Sequence, residues 1–166
     1  MSMNDPRELF LHELKDVYFA ENTLVKALPT MISEASDKEL SRGLEKHLAE
    51  TRQQVKNLDK VFASLGEKAE GERCPGIEGI KAEHDEFMSK ENPSTEICDM
   101  FLTGAAARTE HYEIAAYTGL IAMARGLEVQ RADEAVEVRD GAAREQVIAG
   151  TVRRAPVAEQ LAEAGR

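Results

Sequence analysis

Residues 66–94 interrupt a regular helical pattern, and this interruption limits the folds open to the chain more than any other feature. Two long apolar stripes precede it. The first runs Phe10, Leu14, Val17, Tyr18, Val25, Leu28 and Ile32, and Asp5-Pro6 opens it as N-cap and first helical residue. Pro29 predicts a kink or a tightened last turn. The second stripe, capped by Ser36 or Asp37, runs Leu40, Leu44, Leu48, Val55, Leu58, Phe62 and Leu65 until Gly66 ends it. Within the interruption lie a polar loop (66–76) and a shorter helix over about 77–90 that carries Ile77, Ile80 and Phe87. Asn92-Pro93-Ser94 then breaks the chain and caps a long helix over about 95–125, striped by Cys98, Leu102, Ala106, Tyr117, Leu120, Ala124 and Leu127. A weaker helical region follows Gly126. No alternating run suggests a strand, so the fold class is all-α.

Plain up-and-down bundles join every helix by a short loop. A long middle connection with its own short helix instead points to a ferritin-like four-helix bundle with one crossover, an arrangement whose core can hold two metal ions. The expected division is a bundle over 1–150 and a C-terminal tail over 151–166. A length of 166 residues suits one domain with a real core, and a shortage of Pro and aromatic residues agrees with helix. The net charge of −10 argues against nucleic-acid binding, which needs a basic face. MSMNDPRELF has neither a basic start nor an apolar core, and the longest apolar run, Ile114 to Ala124, is too short for a bilayer. The expectation is a cytoplasmic protein with no membrane partner. Cys74 and Cys98 lack CxxC spacing and a neighbouring His, and are expected as reduced thiols.

Carboxylates are the unusual feature of the stripes. Advancing 100° per residue places Glu21 at the middle of the first stripe, between Leu14 and Leu28. In RTEHYEIAAYTGL, Glu113 falls at the centre of its stripe and Glu110 one turn earlier on the shoulder. Glu50 sits beside the second stripe, aligned with His47 and Gln54. Four acids from three helices thus face one interior. A buried unpaired acid is costly, and a cation offsets both lost hydration and mutual repulsion. Oxygen ligands with some imidazole suit iron or manganese, two ions at most. His47 and Gln54 are further candidate ligands. His111 points away from Glu113, and His12 and His84 read as surface residues.

Four stretches carry a family resemblance: LFLHELKDVYFAENTLVKALP, HLAETRQQVKNLDKVFASLG, CPGIEGIKAE and AAARTEHYEIAAYTGL. They resemble the YciF-type (DUF892) branch of the ferritin-like superfamily over residues 8 to about 127. More distantly, Glu110-x-x-Glu113 is similar to the third-helix pair of rubrerythrin-type di-iron proteins. That likeness implies Glu21, Glu50, Glu110 and Glu113 as metal ligands, and the family implies a bacterial stress response. Two departures stand out. Gln53 occupies the position where the superfamily has the His of Glu-x-x-His, and VEVRDGAAREQ replaces the family's Glu-rich fourth-helix run, leaving Asp140 as the substitute ligand.

Two functions remain open at this point. One is a di-metal carboxylate protein handling oxygen, peroxide or iron, with oxidase- or peroxidase-like activity. The other is a metal-free helical scaffold whose interior acids are paired structurally. In both, His111 and Tyr112 lie off the main stripe among alanines, which predicts a second packed face and a homodimer.

Overall fold

A computed structural model describes residues 3–133, which form four helices: α1 (Pro6–Glu34), α2 (Lys38–Ser64), α3 (Pro75–Glu91) and α4 (Thr95–Asp133). No strand occurs among the described residues. The caps explain most of the boundaries. Asp5 accepts from the Arg7 amide ahead of Pro6. Asp37, rather than Ser36, accepts from the Glu39 and Leu40 amides, while Ser36 donates its hydroxyl to Asp99 on α4. Gly66, in the left-handed region at φ 71°, follows α2 where the chain must turn.

Pro29 lies inside α1, which runs past Ile32 to Glu34. Two expected boundaries shift. α3 starts at Pro75, because Cys74 acts as its N-cap and its thiol accepts from the Ile77 amide at 3.5 Å. α4 does not stop near Gly126 but continues to Asp133. A glycine inside a helix costs only about 1 kcal/mol relative to Ala, and Leu127 beyond it still packs on the core. The final helical region, Asp140 and the tail over 151–166 lie outside the described residues.

Cross-links between the helices fix their directions. Arg7 reaches the Leu65 carbonyl and Tyr18 donates to Asp59, so α1 and α2 are antiparallel. Ser36 meets Asp99 while Tyr112 donates to Asp16, so α1 and α4 are also antiparallel. Hence α2 and α4 run parallel, and the segment joining them must travel back along the bundle. It does so beside α1: the Glu72 amide donates to the Lys15 carbonyl, and Gly71 passes so close to Phe19 that a Cβ there would lie 3.1 Å from the Phe19 Cα. The interrupted sequence is therefore a crossover, as expected for the ferritin-like arrangement.

The apolar core divides along the bundle axis. One cluster gathers Leu24, Leu28, Leu40, Leu44, Leu102 and Ala105 with their neighbours. The other gathers Phe10, Leu14, Leu58, Phe62, Tyr117 and Leu120. Each long helix passes from one cluster to the other, and the buried polar residues of these three helices occupy the change-over: Glu21 on α1, His47 and Thr51 on α2, and Thr109, Glu110 and Glu113 on α4. A polar layer thus sits across the middle of an apolar bundle.

Candidate metal centre

Three of the four expected acids are deeply buried, with Glu21 at 1%, Glu110 at 4% and Glu113 at 8% exposure. His47, at 3%, lies among them. Its Nε2 is 3.0 Å from Glu113 Oε2, and its Nδ1 is 3.9 Å from Glu110 Oε1. With the Nε2–H donating to Glu113, Nδ1 presents a bare lone pair, and no hydrogen-bond partner reaches it. Glu113 Oε1 and Thr51 Oγ1 are likewise buried without a partner. Glu50 stands at the margin, a quarter exposed, with Lys46 Nζ 3.9 Å away.

Glu21 is held on two sides. Tyr117 donates its hydroxyl to Oε1 at 2.7 Å. Gln54, with its amide nitrogen turned inward, donates to Oε2 at 3.0 Å. Gln54 therefore enters the site as a donor to a carboxylate, whereas Gln53 bonds Asn57 on the exposed side. Tyr117 read in the sequence only as a stripe residue, since nothing in its spacing marks a hydroxyl aimed at Glu21.

Electrostatics follow from burial. Desolvation pushes the Glu21 carboxyl well above its usual range, and the Glu113 charge adds to it. Glu113 is pushed well above its range in the same way, by burial first and then by Glu110. Glu110 is raised by burial, with His47 opposing. Among the described residues, His47 is the basic side chain that approaches Glu110 and Glu113 within 4 Å, and no lysine or arginine pairs with either. Such a layer can do two things chemically: retain protons on its acids, or exchange them for a cation. The donor set fits a hard or borderline cation in kind, with carboxylate oxygens, one free imidazole nitrogen and one unpartnered carboxylate oxygen. Among the described residues, however, no three His, Cys, Asp or Glu side chains close on a common point as they stand.

The family model described as "Domain of unknown function (DUF892)" matches residues 5–152. The chain belongs to the DUF892 family. It is 34% identical over 133 residues to Protein YciF of Escherichia coli (strain K12), covering 80% of each chain. The crystal structure of the E. coli stress protein YciF matches with a TM-score of 0.82 at 27% identity, over 98% of this chain and 95% of that one. The structure of YcfI from Rhodopseudomonas palustris matches with a TM-score of 0.74 at 36% identity, over 93% and 94%. No helix among the described residues of this DUF892 chain is long and apolar enough to cross a membrane.

The remaining candidates of the DUF892 chain fall into place around this layer. His111 is exposed and its Nδ1 bonds the Ala107 carbonyl, away from Glu113 as expected. His12 meets Glu72 at the surface. His84 departs from its surface assignment: it is 7% exposed, with Nε2 2.8 Å from Glu34 Oε2 and Nδ1 3.1 Å from Asp85. The signal was present, since Ile77, Ile80 and His84 follow helical spacing, and α3 turns that face toward α1 and α4. Tyr112 also finds its packed face inside the chain. Its hydroxyl lies 2.7 Å from Cys74 Sγ and donates to Asp16 at 3.0 Å, while Gly76 on α3 abuts its ring. Both cysteines are free and buried, and burial raises both thiols.

Proposed function

We propose that this DUF892 protein acts in a bacterial stress response by holding iron or manganese, two ions at most, in the polar layer between its two apolar clusters. The observation that carries this is the burial of Glu21, Glu110 and Glu113 around one imidazole, with His47 Nδ1 and Glu113 Oε1 left unpartnered. Buried unsatisfied polar atoms are rare and costly, and such atoms point to a missing ligand. Glu110, Glu113 and His47 would bind the ion, with Glu21 and Glu50 beside them. Asp140, outside the described residues, is proposed as a further ligand. Iron or manganese there would supply one-electron chemistry toward oxygen or peroxide. The chain's own contribution is to orient: Tyr117 and Gln54 hold Glu21, and the flanking apolar clusters exclude bulk water. We place the protein in the cytoplasm, without nucleic-acid partners. A homodimer belongs to the same proposal, with Ile97 and Met100, exposed at 48% and 66%, as apolar surface available to a second copy.

A specific observation favours a second reading, a metal-free scaffold. Tyr117, Gln54 and Glu21 already close one hydrogen-bonded set, His47 and Glu113 another, and no three ligands converge. Elemental analysis of protein purified without chelator, followed by an assay of ferrous oxidation, separates the two. Stoichiometric iron or manganese supports the metal reading, and a metal-free protein that stays so under metal excess supports the scaffold.

A further inference from the structure

Thr51 is wholly buried on α2, one turn after His47 and three residues before Gln54. His47 meets Glu113 and Gln54 meets Glu21, so Thr51 lies between the two hydrogen-bonded sets of the polar layer. Its hydroxyl behaves unlike those of Thr103, Thr109 and Thr118 on α4. Each of these donates to the carbonyl four residues back, at 2.9, 3.0 and 2.7 Å. Thr51 Oγ1 makes no such bond and has no other partner among the described residues. A buried hydroxyl that forgoes its own helix backbone needs something else to bond.

A cation answers only part of this demand. It would take lone pairs from His47 Nδ1 and Glu113 Oε1, the two other unpartnered side-chain atoms buried among the described residues. The Thr51 O–H is a donor and needs an electron-rich partner. As a neutral alcohol it is also a poorer ligand for iron or manganese than the carboxylates beside it. An open coordination position on such an ion admits a small oxygen ligand (water, hydroxide or peroxide) whose lone pairs supply the missing acceptor. We infer that Thr51 is not an ion ligand but positions the small oxygen ligand of the ion, donating its hydroxyl to that ligand from α2. This rests on the metal reading proposed above and adds to it a residue that governs which small molecule the site holds.

The test uses full-length protein loaded with ferric ion. Azide binding is followed by its charge-transfer absorption, and fluoride binding by displacement of azide. Thr51→Val deletes the hydroxyl at nearly constant volume, and Thr51→Ser keeps it. All three proteins should hold the same amount of iron. Azide should bind Thr51→Val about tenfold more weakly, the worth of one hydrogen bond to a charged acceptor, and Thr51→Ser should restore the affinity. A loss with azide alone places the hydroxyl beyond the first atom of the ligand, as for peroxide. A loss with fluoride as well places it against the atom on the ion, as for water or hydroxide. Metal-free Thr51→Val should melt no lower than wild type, since its hydroxyl has no protein partner to lose. Unchanged affinity of Thr51→Val for both anions overturns the inference. So does loss of iron from that variant, which would make the hydroxyl a ligand. A lowered melting temperature of the metal-free variant also overturns it, by giving the hydroxyl a partner within the protein. Wild-type protein that takes up no iron fails the metal reading and the inference with it, and iron analysis shows this before either anion is added.

Discussion

His47 Nε2 lies 3.0 Å from Glu113 Oε2, and this contact joins α2 to α4 across the centre of the bundle although those helices touch little elsewhere. Replacing His47 by Leu nearly keeps the volume but strands Glu113 among apolar side chains. A loss of about 1–3 kcal/mol is expected for the orphaned acceptor. Urea denaturation should show a lower midpoint with an unchanged slope. An unchanged midpoint would mean that the contact carries no weight.

Acidity supplies a second prediction. In metal-free protein the Glu21 and Glu113 carboxyls are raised well above 4.5 by burial. The folded state then binds more protons than the unfolded state at every pH between 4.5 and the raised folded values. Stability is full below that window and falls as pH rises through it. Melting temperature should therefore drop from mildly acidic to mildly alkaline buffer, and Glu21→Gln should flatten the slope. A melting temperature that climbs over the same interval contradicts this assignment.

Much of this was legible from spacing alone. Glu21, Glu110 and Glu113 fell on apolar stripes because helical periodicity fixes which residues face inward. The crossover was legible for a similar reason, since Gly66 and Asn92-Pro93 punctuate the chain regardless of tertiary context. His84 and Tyr117 were not. A one-dimensional stripe cannot say that Glu34, fifty residues earlier, waits opposite His84, nor that a core tyrosine aims its hydroxyl at Glu21. Gly126 misled because a breaker's effect depends on whether a cap is available, and α4 carries on through it.

The docking of α3 rests on a close approach. A Cβ at Gly76 would lie 2.7 Å from Tyr112 Cε2, while one at Gly79 meets nothing within 4 Å. Gly76→Ala should cost about 1–3 kcal/mol through overpacking. Gly79→Ala, in the interior of α3, should be neutral or stabilising by about 0.5–1 kcal/mol. Thermal melts of the two variants check the contrast, which would vanish if α3 were loosely held.

Cys74 and Cys98 are buried, and both thiols are raised by that burial. Native protein should therefore resist iodoacetamide at neutral pH, and both cysteines should label once urea unfolds the chain. Mass spectrometry reads the count directly. Rapid double labelling of folded protein would show that the crossover does not cover them as described.

The polar layer itself is tested most directly by titrating manganous ion into chelator-treated protein and following its electron paramagnetic resonance. Free manganous ion gives a six-line signal that fades when the ion is bound at a low-symmetry protein site. Loss of that signal is expected up to one or two ions per chain, the capacity of a carboxylate site in such a bundle, with its return in Glu113→Ala. An undiminished free-ion signal throughout the titration of folded wild-type protein would contradict the metal reading.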